Sequence, residues 1–123
     1  MKRPSPKELF NKLKDARTAA ESGNVALLNQ SVIAIDAIDM DYVIDNELLK
    51  FLPECLAEIK PTEYVGLYPP QRSYATEIKG LELFAFKAES VTFNCEVYIK
   101  FALSDDFLWL VSFHKNRDDA ERQ

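Results

Sequence analysis

The segment from Val91 to Leu103 alternates between apolar and polar side chains. Every odd-numbered position in it is apolar: Val91, Phe93, Cys95, Val97, Ile99, Phe101 and Leu103. The even-numbered positions are polar or amphipathic as far as Lys100, and Ala102 follows. A period of two is the pattern of a β-strand with one buried face and one face toward water. The fold must therefore supply an apolar layer against one face of a long strand.

Other segments of the second half also have the composition of strands. Phe107–Phe113 is an almost continuous apolar run, which is typical of a central strand covered on both faces. Leu81–Lys87 has the pattern of a further strand and Tyr74–Lys79 that of a weaker one, with Gly80 between them. Short connections join these segments, so we predict an antiparallel sheet of three or four strands between residues 74 and 115.

The first half of the chain has helical periodicity. Ser5, Pro6 and Glu8 form a capping-box pattern with proline at the first helical position. Apolar residues follow at helical spacing until Gly23: Leu9, Phe10, Leu13, Ala16 and Ala20. Asn24 is placed to cap a second helix. The apolar stripe of that second helix is Val25, Leu28, Val32 and Ile35.

A third helical stretch follows the acidic region around Asp41. Its apolar face is Leu48, Leu49, Leu52, Cys55, Leu56 and Ile59. Pro53 is expected to kink or split this helix, and Pro61 to end it.

At 123 residues the chain has the length of one ordinary domain, and it contains no internal repeat. We predict one α+β domain over residues 1–123, with helices within 5–60, an antiparallel sheet at 74–115 and a short polar tail at 116–123. The basic start lacks an apolar signal-peptide core, and no apolar run reaches the roughly 18 residues of a membrane span. Cys55 and Cys95 lack metal-binding spacing, so we expect buried, reduced thiols in a cytoplasmic protein without a membrane partner.

The loop between the two strongest strands decides which side chains meet. If Ser104, Asp105 and Asp106 form a three-residue hairpin loop, Leu103 pairs with Phe107. The apolar face then pairs Phe101 with Trp109, Ile99 with Val111, and Val97 with Phe113. On the other face Tyr98 lies opposite Ser112 and Glu96 opposite His114. A shift of one residue would turn His114 toward the core, so hydrophobicity favours this register.

Five polar residues would share the outer face of this hairpin: Glu96, Tyr98, Lys100, Ser112 and His114. These residue types suit metal-independent RNA cleavage, which needs a group that removes the 2′-hydroxyl proton, an acid for the departing 5′-oxygen and a cation for the phosphate. Imidazole titrates closest to neutral pH, so His114 is the candidate acid or base, and Glu96 would orient it. Lys100 would supply positive charge, and Tyr98 would bind the phosphate or stack on a base.

Each of these features also has a simpler interpretation. A strand that faces water normally carries Glu, Tyr, Lys and Ser, and a Glu opposite a His can be only a weak surface pair. Five basic residues are a candidate RNA-binding rim or merely solubilising charges: Arg72, Lys79, Lys87, Lys115 and Arg117. The acidic residues between Asp36 and Glu47 lack the spacing of a calcium loop and suit helix caps. A single histidine excludes a catalytic triad or a multi-histidine metal site.

Charge is distributed unevenly along the chain, whose net charge is −5. Residues 1–20 carry six Lys and Arg against two acids, whereas residues 21–64 carry nine acids against two Lys. Phosphate affinity comes mainly from clustered Lys and Arg, so the acidic balance counts against RNA binding. The same balance favours a basic protein partner.

Two segments near the C-terminus carry a family resemblance. Cys95–Lys100, followed by a short hairpin and Leu110–Lys115, resembles the end of the MqsR family of bacterial type II toxins. In that family a VYxK strand precedes a strand that ends in a VSFK-like run. The upstream order is also similar, with helices leading to an aromatic-containing segment around Tyr64.

The resemblance implies a RelE-like fold, an mRNA endonuclease activity that needs no metal or cofactor, and a cognate antitoxin as partner. The family's functional tyrosine falls on Tyr98. Its C-terminal functional lysine falls on His114, with Lys115 adjacent. The family's sheet glutamine falls near Ala85 and its lysine after the helical stretch near Val65, so this chain departs from the pattern at both positions.

Two functions follow from these observations. The first is a toxin-like mRNA endoribonuclease of a toxin–antitoxin system, in which the catalytic residues are His114, Tyr98, Lys100 and Glu96. The second is a non-enzymatic protein-interaction domain that keeps the RelE-like fold. In the second hypothesis the acidic helical half docks a basic partner, and the sheet is a scaffold.

Overall fold

The computed structural model describes residues 4–67 and 69–116. The helices are α1 (Pro6–Glu21), α2 (Gln30–Asp39) and α3 (Ile44–Glu58), and the strands are β1 (Val25–Leu27), β2 (Phe84–Ser90), β3 (Cys95–Ser104) and β4 (Phe107–Lys115). Single 3₁₀ turns lie at Pro61–Glu63 and Thr76–Ile78. The predicted α+β class is confirmed. The sheet was predicted to be antiparallel and confined to residues 74–115, but it is mixed and includes β1 from the first half of the chain. Within the described ranges, no helix has the length and apolar character needed to cross a membrane.

The first helix forms as its sequence signals predict. The Ser5 hydroxyl accepts a hydrogen bond from the backbone N–H of Glu8 at 3.0 Å, which satisfies a donor that has no partner inside the helix. At the other end Gly23 has φ 78°, and its N–H donates to the Ala20 carbonyl at 3.1 Å. This left-handed conformation ends the helix and turns the chain toward the sheet.

The segment after α1 is a strand, so the predicted helix start at Asn24 is wrong. Val25–Leu27 pairs in parallel with Leu108–Leu110 of β4, and the Leu28 N–H donates to the Leu110 carbonyl at 3.0 Å. Pairing with a sheet edge satisfies backbone groups that a helix would satisfy internally, and this tertiary contact overrides the helical spacing. The second helix therefore begins only at Gln30.

The fourth strand of the sheet is β1 and not the predicted Tyr74–Lys79. That segment lies in a loop with a 3₁₀ turn, which closes on itself through hydrogen bonds from Ser73 N–H to the Leu81 carbonyl and from Gly80 N–H to the Ser73 carbonyl, both at 2.9 Å. These hydrogen bonds join the two ends of the loop to each other, and the segment between them does not pair with the sheet. The strand order is β1-β4-β3-β2, antiparallel except for the β1–β4 pair.

The third helix runs through Pro53 without a break, so the expected split does not occur. Proline inside a helix costs about 3 kcal/mol or more, because one backbone hydrogen bond is lost and the ring meets the preceding turn. Leu52 and Leu56 on either side are 0% and 2% exposed, and their burial offsets that cost. The helix ends before Pro61, as predicted.

Apolar side chains form two separate clusters, one against each face of the sheet. The main core lies between the helices and the inner face of the sheet and contains Leu9, Leu52, Phe86, Ile99, Phe101 and Phe113, among others. The second cluster lies on the outer face, beneath the loop that contains the Thr76–Ile78 turn. It is built from Ile78, Leu83 and Ala102, with Leu28, Ala75, Leu81, Trp109 and Val111 packed against it.

The β3–β4 hairpin differs from the predicted register. Its turn contains only Asp105 and Asp106, with Ser104 opposite Phe107, and Asp105 takes the left-handed conformation (φ 55°) suited to such a tight turn. Leu103 therefore pairs with Leu108, and the predicted pairing of Phe101 with Trp109 is wrong. The other predicted pairs, Ile99 with Val111, Val97 with Phe113, Tyr98 with Ser112 and Glu96 with His114, are also wrong.

A β-bulge corrects the orientation of the second half of β4. Before the bulge Leu108 and Leu110 face the core, and Trp109 faces outward against the second cluster. Between the pairs Phe101–Leu110 and Lys100–Ser112 the register shifts, which leaves Val111 as an extra residue. Phe113 then returns to the core face, and His114 points to the outer face.

Candidate functional site

The predicted polar cluster lies on the part of the outer sheet face beside the second apolar cluster. At its centre Tyr98 is the middle member of a row across three strands, with Lys87 of β2 opposite it on one side and His114 of β4 on the other. The Tyr98 and His114 rings stack, with centroids 5.1 Å apart and planes at 22°. The structure thus brings the imidazole and the phenol together, although the predicted register did not pair them.

A second row lies one pleat along the sheet. Lys100 is opposite Ser112 of β4 and Ala85 of β2. Residues that alternate along a strand share a face, so the Lys100 side chain lies on the same face as Tyr98. The second apolar cluster, which includes Ala102 and Trp109, closes the face beyond this row. Three basic residues, Lys87, Lys100 and His114, therefore hold strand positions next to the half-buried Tyr98 on this face.

Glu96 does not hold the predicted position opposite His114. It pairs with Glu89 of β2, and its carboxylate accepts a hydrogen bond from the Asn116 side-chain amide at 2.7 Å. The Asn116 backbone N–H donates to the Glu96 carbonyl, also at 2.7 Å. The continued β3–β4 pairing thus gives Glu96 a different partner, and its predicted position opposite His114 is wrong.

The group that contacts the His114 ring is the backbone carbonyl of Lys115. The Nδ1 atom of His114 lies 2.9 Å from that oxygen. A carbonyl oxygen can only accept, so the contact is a hydrogen bond only when Nδ1 carries the proton. In the neutral ring, Nε2 then has the free lone pair and can accept a proton from a bound molecule.

Tyr98 has the character of a donor rather than a base. Burial raises the pKa of the Tyr98 phenol above its ordinary value of 10.0. The hydroxyl therefore stays protonated at neutral pH and can donate a hydrogen bond. Its ring can at the same time act as a stacking surface for a planar group.

Of the four predicted rim residues that the structure describes, only Lys87 joins this cluster. Arg72 belongs to the loop over the second apolar cluster, and its guanidinium donates to the Gly80 carbonyl at 2.8 Å. Lys79 follows the 3₁₀ turn of the same loop. Lys115 pairs with Val97, so it lies on the opposite face from its neighbour His114. Arg117 lies outside the described residues.

Sequence reasoning placed Lys87 at the rim and missed Asn116 altogether. The short connection between β2 and β3 would have placed Lys87 beside Tyr98, since Ser90 opposite Cys95 puts Lys87 opposite Tyr98. This connection was not recognised in the sequence, because residues from Val91 onward were predicted to be part of the strand. Residues 91–94 form a turn in which Val91 is 89% exposed and Asn94 has φ 56°.

Both cysteines pack in or against the main core rather than on the outer face, and they have the properties of inert thiols. Cys55 is fully buried, and its burial raises the pKa of the thiol from 9.0 to about 12. Cys95 is half-buried, and burial also raises its pKa. Raised values keep both groups in the weakly nucleophilic thiol form at neutral pH. In the described part of the chain, no three His, Cys, Asp or Glu side chains are grouped to hold a metal ion.

Comparison with known proteins adds no family to this description. No protein-family model and no curated protein matches the chain.

Proposed function

We propose that the outer face of the sheet binds and cleaves RNA, and that the protein is a toxin-like endoribonuclease. The observation that carries the proposal is the stacked Tyr98–His114 pair beside Lys87 and Lys100. The Tyr98 ring, the His114 imidazole as proton acceptor and the two lysines occupy neighbouring strand positions. Neighbouring positions across a sheet are separated by roughly 5 Å. A single phosphodiester with its flanking base spans such a group.

The proposed reaction is attack of a 2′-hydroxyl on the adjacent phosphate. Nε2 of His114 removes the 2′-hydroxyl proton while the 2′-oxygen forms its bond to phosphorus. The bond between phosphorus and the 5′-oxygen breaks, and the Lys100 ammonium supplies the proton that the departing oxygen takes up. The products are a 2′,3′-cyclic phosphate and a 5′-hydroxyl. His114 then releases its proton to solvent, and Lys100 takes one up from solvent, which restores both groups.

Binding in this proposal divides between charge and stacking. Lys87 and the Tyr98 hydroxyl donate to the non-bridging phosphate oxygens and stabilise the charge that develops there. The exposed edge of the Tyr98–His114 stack supports a splayed base, as aromatic residues do in single-stranded RNA complexes. The cluster offers two lysines and one histidine to the phosphates, while the chain as a whole has a net charge of −5. We therefore expect RNA binding to be weak and strongly dependent on salt.

The resemblance to MqsR-like toxins of the RelE superfamily supports the same proposal from the sequence. On this proposal the substrate is mRNA, the protein acts in the cytoplasm, and its partner is a cognate antitoxin. Tyr98 falls on that family's functional tyrosine, and His114 replaces its C-terminal lysine. A histidine there changes the proposed chemistry, because imidazole accepts a proton at neutral pH more readily than an ammonium group does.

Product analysis tests the reaction class. The purified chain is incubated with a labelled single-stranded RNA and with the same strand carrying one 2′-deoxy nucleotide at the mapped cleavage position. The proposal predicts a 2′,3′-cyclic phosphate product from the first strand and no cleavage at the modified position in the second. Cleavage of the 2′-deoxy strand at that position, or an unmodified RNA left intact at all salt concentrations, would refute it.

A further inference from the structure

The second helix is apolar on two opposite faces. Its inner face places Ile33 and Ala37 in the main core, where they are 0% and 1% exposed. On its outer face Val32, Ile35 and Ile38 are 49%, 67% and 75% exposed. A helix that is apolar all round is normally covered on both sides. In the described structure, nothing covers the outer face of α2 at these positions.

The apolar surface continues beyond the end of α2. Ile38 lines a groove of about 360 Å³ together with Ala34, Tyr42, Val43, Ile44 and Asp45. Val43 in the turn before α3 is 57% exposed. We call the surface formed by Val32, Ile35, Ile38 and Val43 the α2 patch. Contiguous exposed apolar surface of this kind marks interaction sites on folded proteins.

The charged residues of α2, and of the segment after it as far as Leu49, are all acidic. Residues 30–49 contain five acids and no Lys or Arg. Asp39, Asp41 and Asp45 are exposed and alternate in sequence with the patch residues. If two copies of the chain met through this surface, Asp39, Asp41 and Asp45 of one copy would approach the same three acids of the other. A second copy is therefore a poor occupant, and so is RNA, whereas a basic protein segment complements the surface.

We propose that the α2 patch docks a basic amphipathic helix of another protein. The partner helix would present apolar residues at positions i, i+3, i+4 and i+7 to the groove, with Lys or Arg on either flank opposite Asp39 and Asp45. The inner face of α2 packs in the main core, so the patch points away from the sheet, and the Tyr98–His114 cluster lies on the far face of the sheet. The two surfaces can thus be occupied at the same time.

Two synthetic helical peptides test the proposal. They share the same leucine face, and one carries Lys and the other Glu on both flanks. Fluorescence anisotropy with the full chain should show binding of the Lys peptide at least about tenfold tighter than that of the Glu peptide. The double substitution Ile35→Ser and Ile38→Ser should weaken the Lys peptide by at least about tenfold. Asp39→Asn with Asp45→Asn should weaken it less and reduce its salt dependence.

A matched control variant distinguishes binding at the α2 patch from non-specific binding to exposed apolar side chains. Val91→Ser with Leu67→Ser removes two other exposed apolar side chains, 89% and 60% exposed, and should bind the Lys peptide like the parent chain. Circular dichroism verifies that every variant is folded. Equal binding of both peptides, absence of binding, or an equal loss in the control variant would overturn the proposal. Sedimentation showing a dimer that Ile35→Ser with Ile38→Ser dissolves would also overturn it, because the occupant would then be a second copy.

Discussion

The imidazole of His114 stacks on the phenol of Tyr98 with ring centroids 5.1 Å apart. This relationship depends on the extra residue in β4, because without it the alternation that buries Leu108 and Leu110 would also turn His114 into the core. The bulge thus lets one strand pack an apolar half and present a polar half on the outer face. Bulges frequently re-aim side chains next to functional sites.

Substitutions at Tyr98 should separate stacking from hydrogen bonding. Tyr98→Phe keeps the ring and removes only the hydrogen bond to the phosphate, so RNA binding should weaken by about 0.5–1.5 kcal/mol. Tyr98→Ala should lose about 1–3 kcal/mol more binding free energy if a base stacks there. Equilibrium binding of a short single-stranded RNA at low salt measures both values. Lys79→Ala, which removes an exposed cation outside the cluster, is the control. Equal affinity for Tyr98→Ala and the parent chain would exclude stacking.

Glu58 should be a stabilising residue of the helix–sheet contact. Its carboxylate accepts hydrogen bonds from the Ser90 hydroxyl at 2.6 Å and from the Thr92 N–H and hydroxyl at 3.0 and 3.1 Å. It fixes the turn between β2 and β3 to the end of α3, so Glu58→Ala should cost about 1–3 kcal/mol of unfolding free energy. Urea unfolding measures the change, with the exposed Glu54→Ala as control. A loss no greater than that of the control would contradict this role.

Tyr42→Phe should be neutral or should stabilise the protein. The Tyr42 side chain is 3% exposed, and its hydroxyl has no hydrogen-bond partner among the described residues. Removal of an unpaired buried hydroxyl should raise the unfolding free energy by up to about 1 kcal/mol. Tyr42→Ala should instead cost about 3–5 kcal/mol, because the ring packs against Phe93 and Phe113. Thermal unfolding in parallel distinguishes the cases, and a destabilised Tyr42→Phe would reveal a partner for the hydroxyl.

Stability should fall in alkaline solution partly through Cys55. Burial raises the pKa of its thiol from 9.0 to about 12, so the folded state holds the proton more tightly than the unfolded state. This contribution is complete below pH 9 and is lost as the pH rises toward 12. Cys55→Ala should show a shallower decline over that range in urea unfolding. Part of the decline should persist in the variant, since burial also raises the pKa of Tyr98. Identical slopes would contradict the assignment.

The sequence predicted those elements whose signals are local. The Ser5 cap and Gly23 mark the ends of α1, and the alternation around Val97 and Ile99 marks the buried face of β3. Local signals failed where distant backbone supplied the partner. Val25 begins an apolar stripe with helical spacing, yet Val25–Leu27 forms a strand. The edge of β4 supplies hydrogen-bond partners for the backbone of this segment.

The sequence predicted which residues share the outer face better than it predicted how the two strands pair. Alternation alone assigns Tyr98 and Lys100 to one face of β3. The position of His114 depends on the two-residue turn at Asp105 and on the extra residue Val111, two changes of parity that cancel each other. The apolar pattern of β4 reveals neither the short turn nor the bulge. Trp109 and Val111 are apolar, but they pack on the outer face against the second cluster.

We propose that the His114 imidazole on the outer sheet face transfers a proton during RNA cleavage. The direct measurement is the single-turnover cleavage rate of one labelled RNA by the parent chain and by His114→Ala, with circular dichroism to verify folding and Lys79→Ala as the matched surface control. If His114 transfers the proton, His114→Ala should slow cleavage by about 10²–10⁴-fold, while Lys79→Ala should change the rate little. A folded His114→Ala variant that cleaves within about twofold of the parent rate would contradict it.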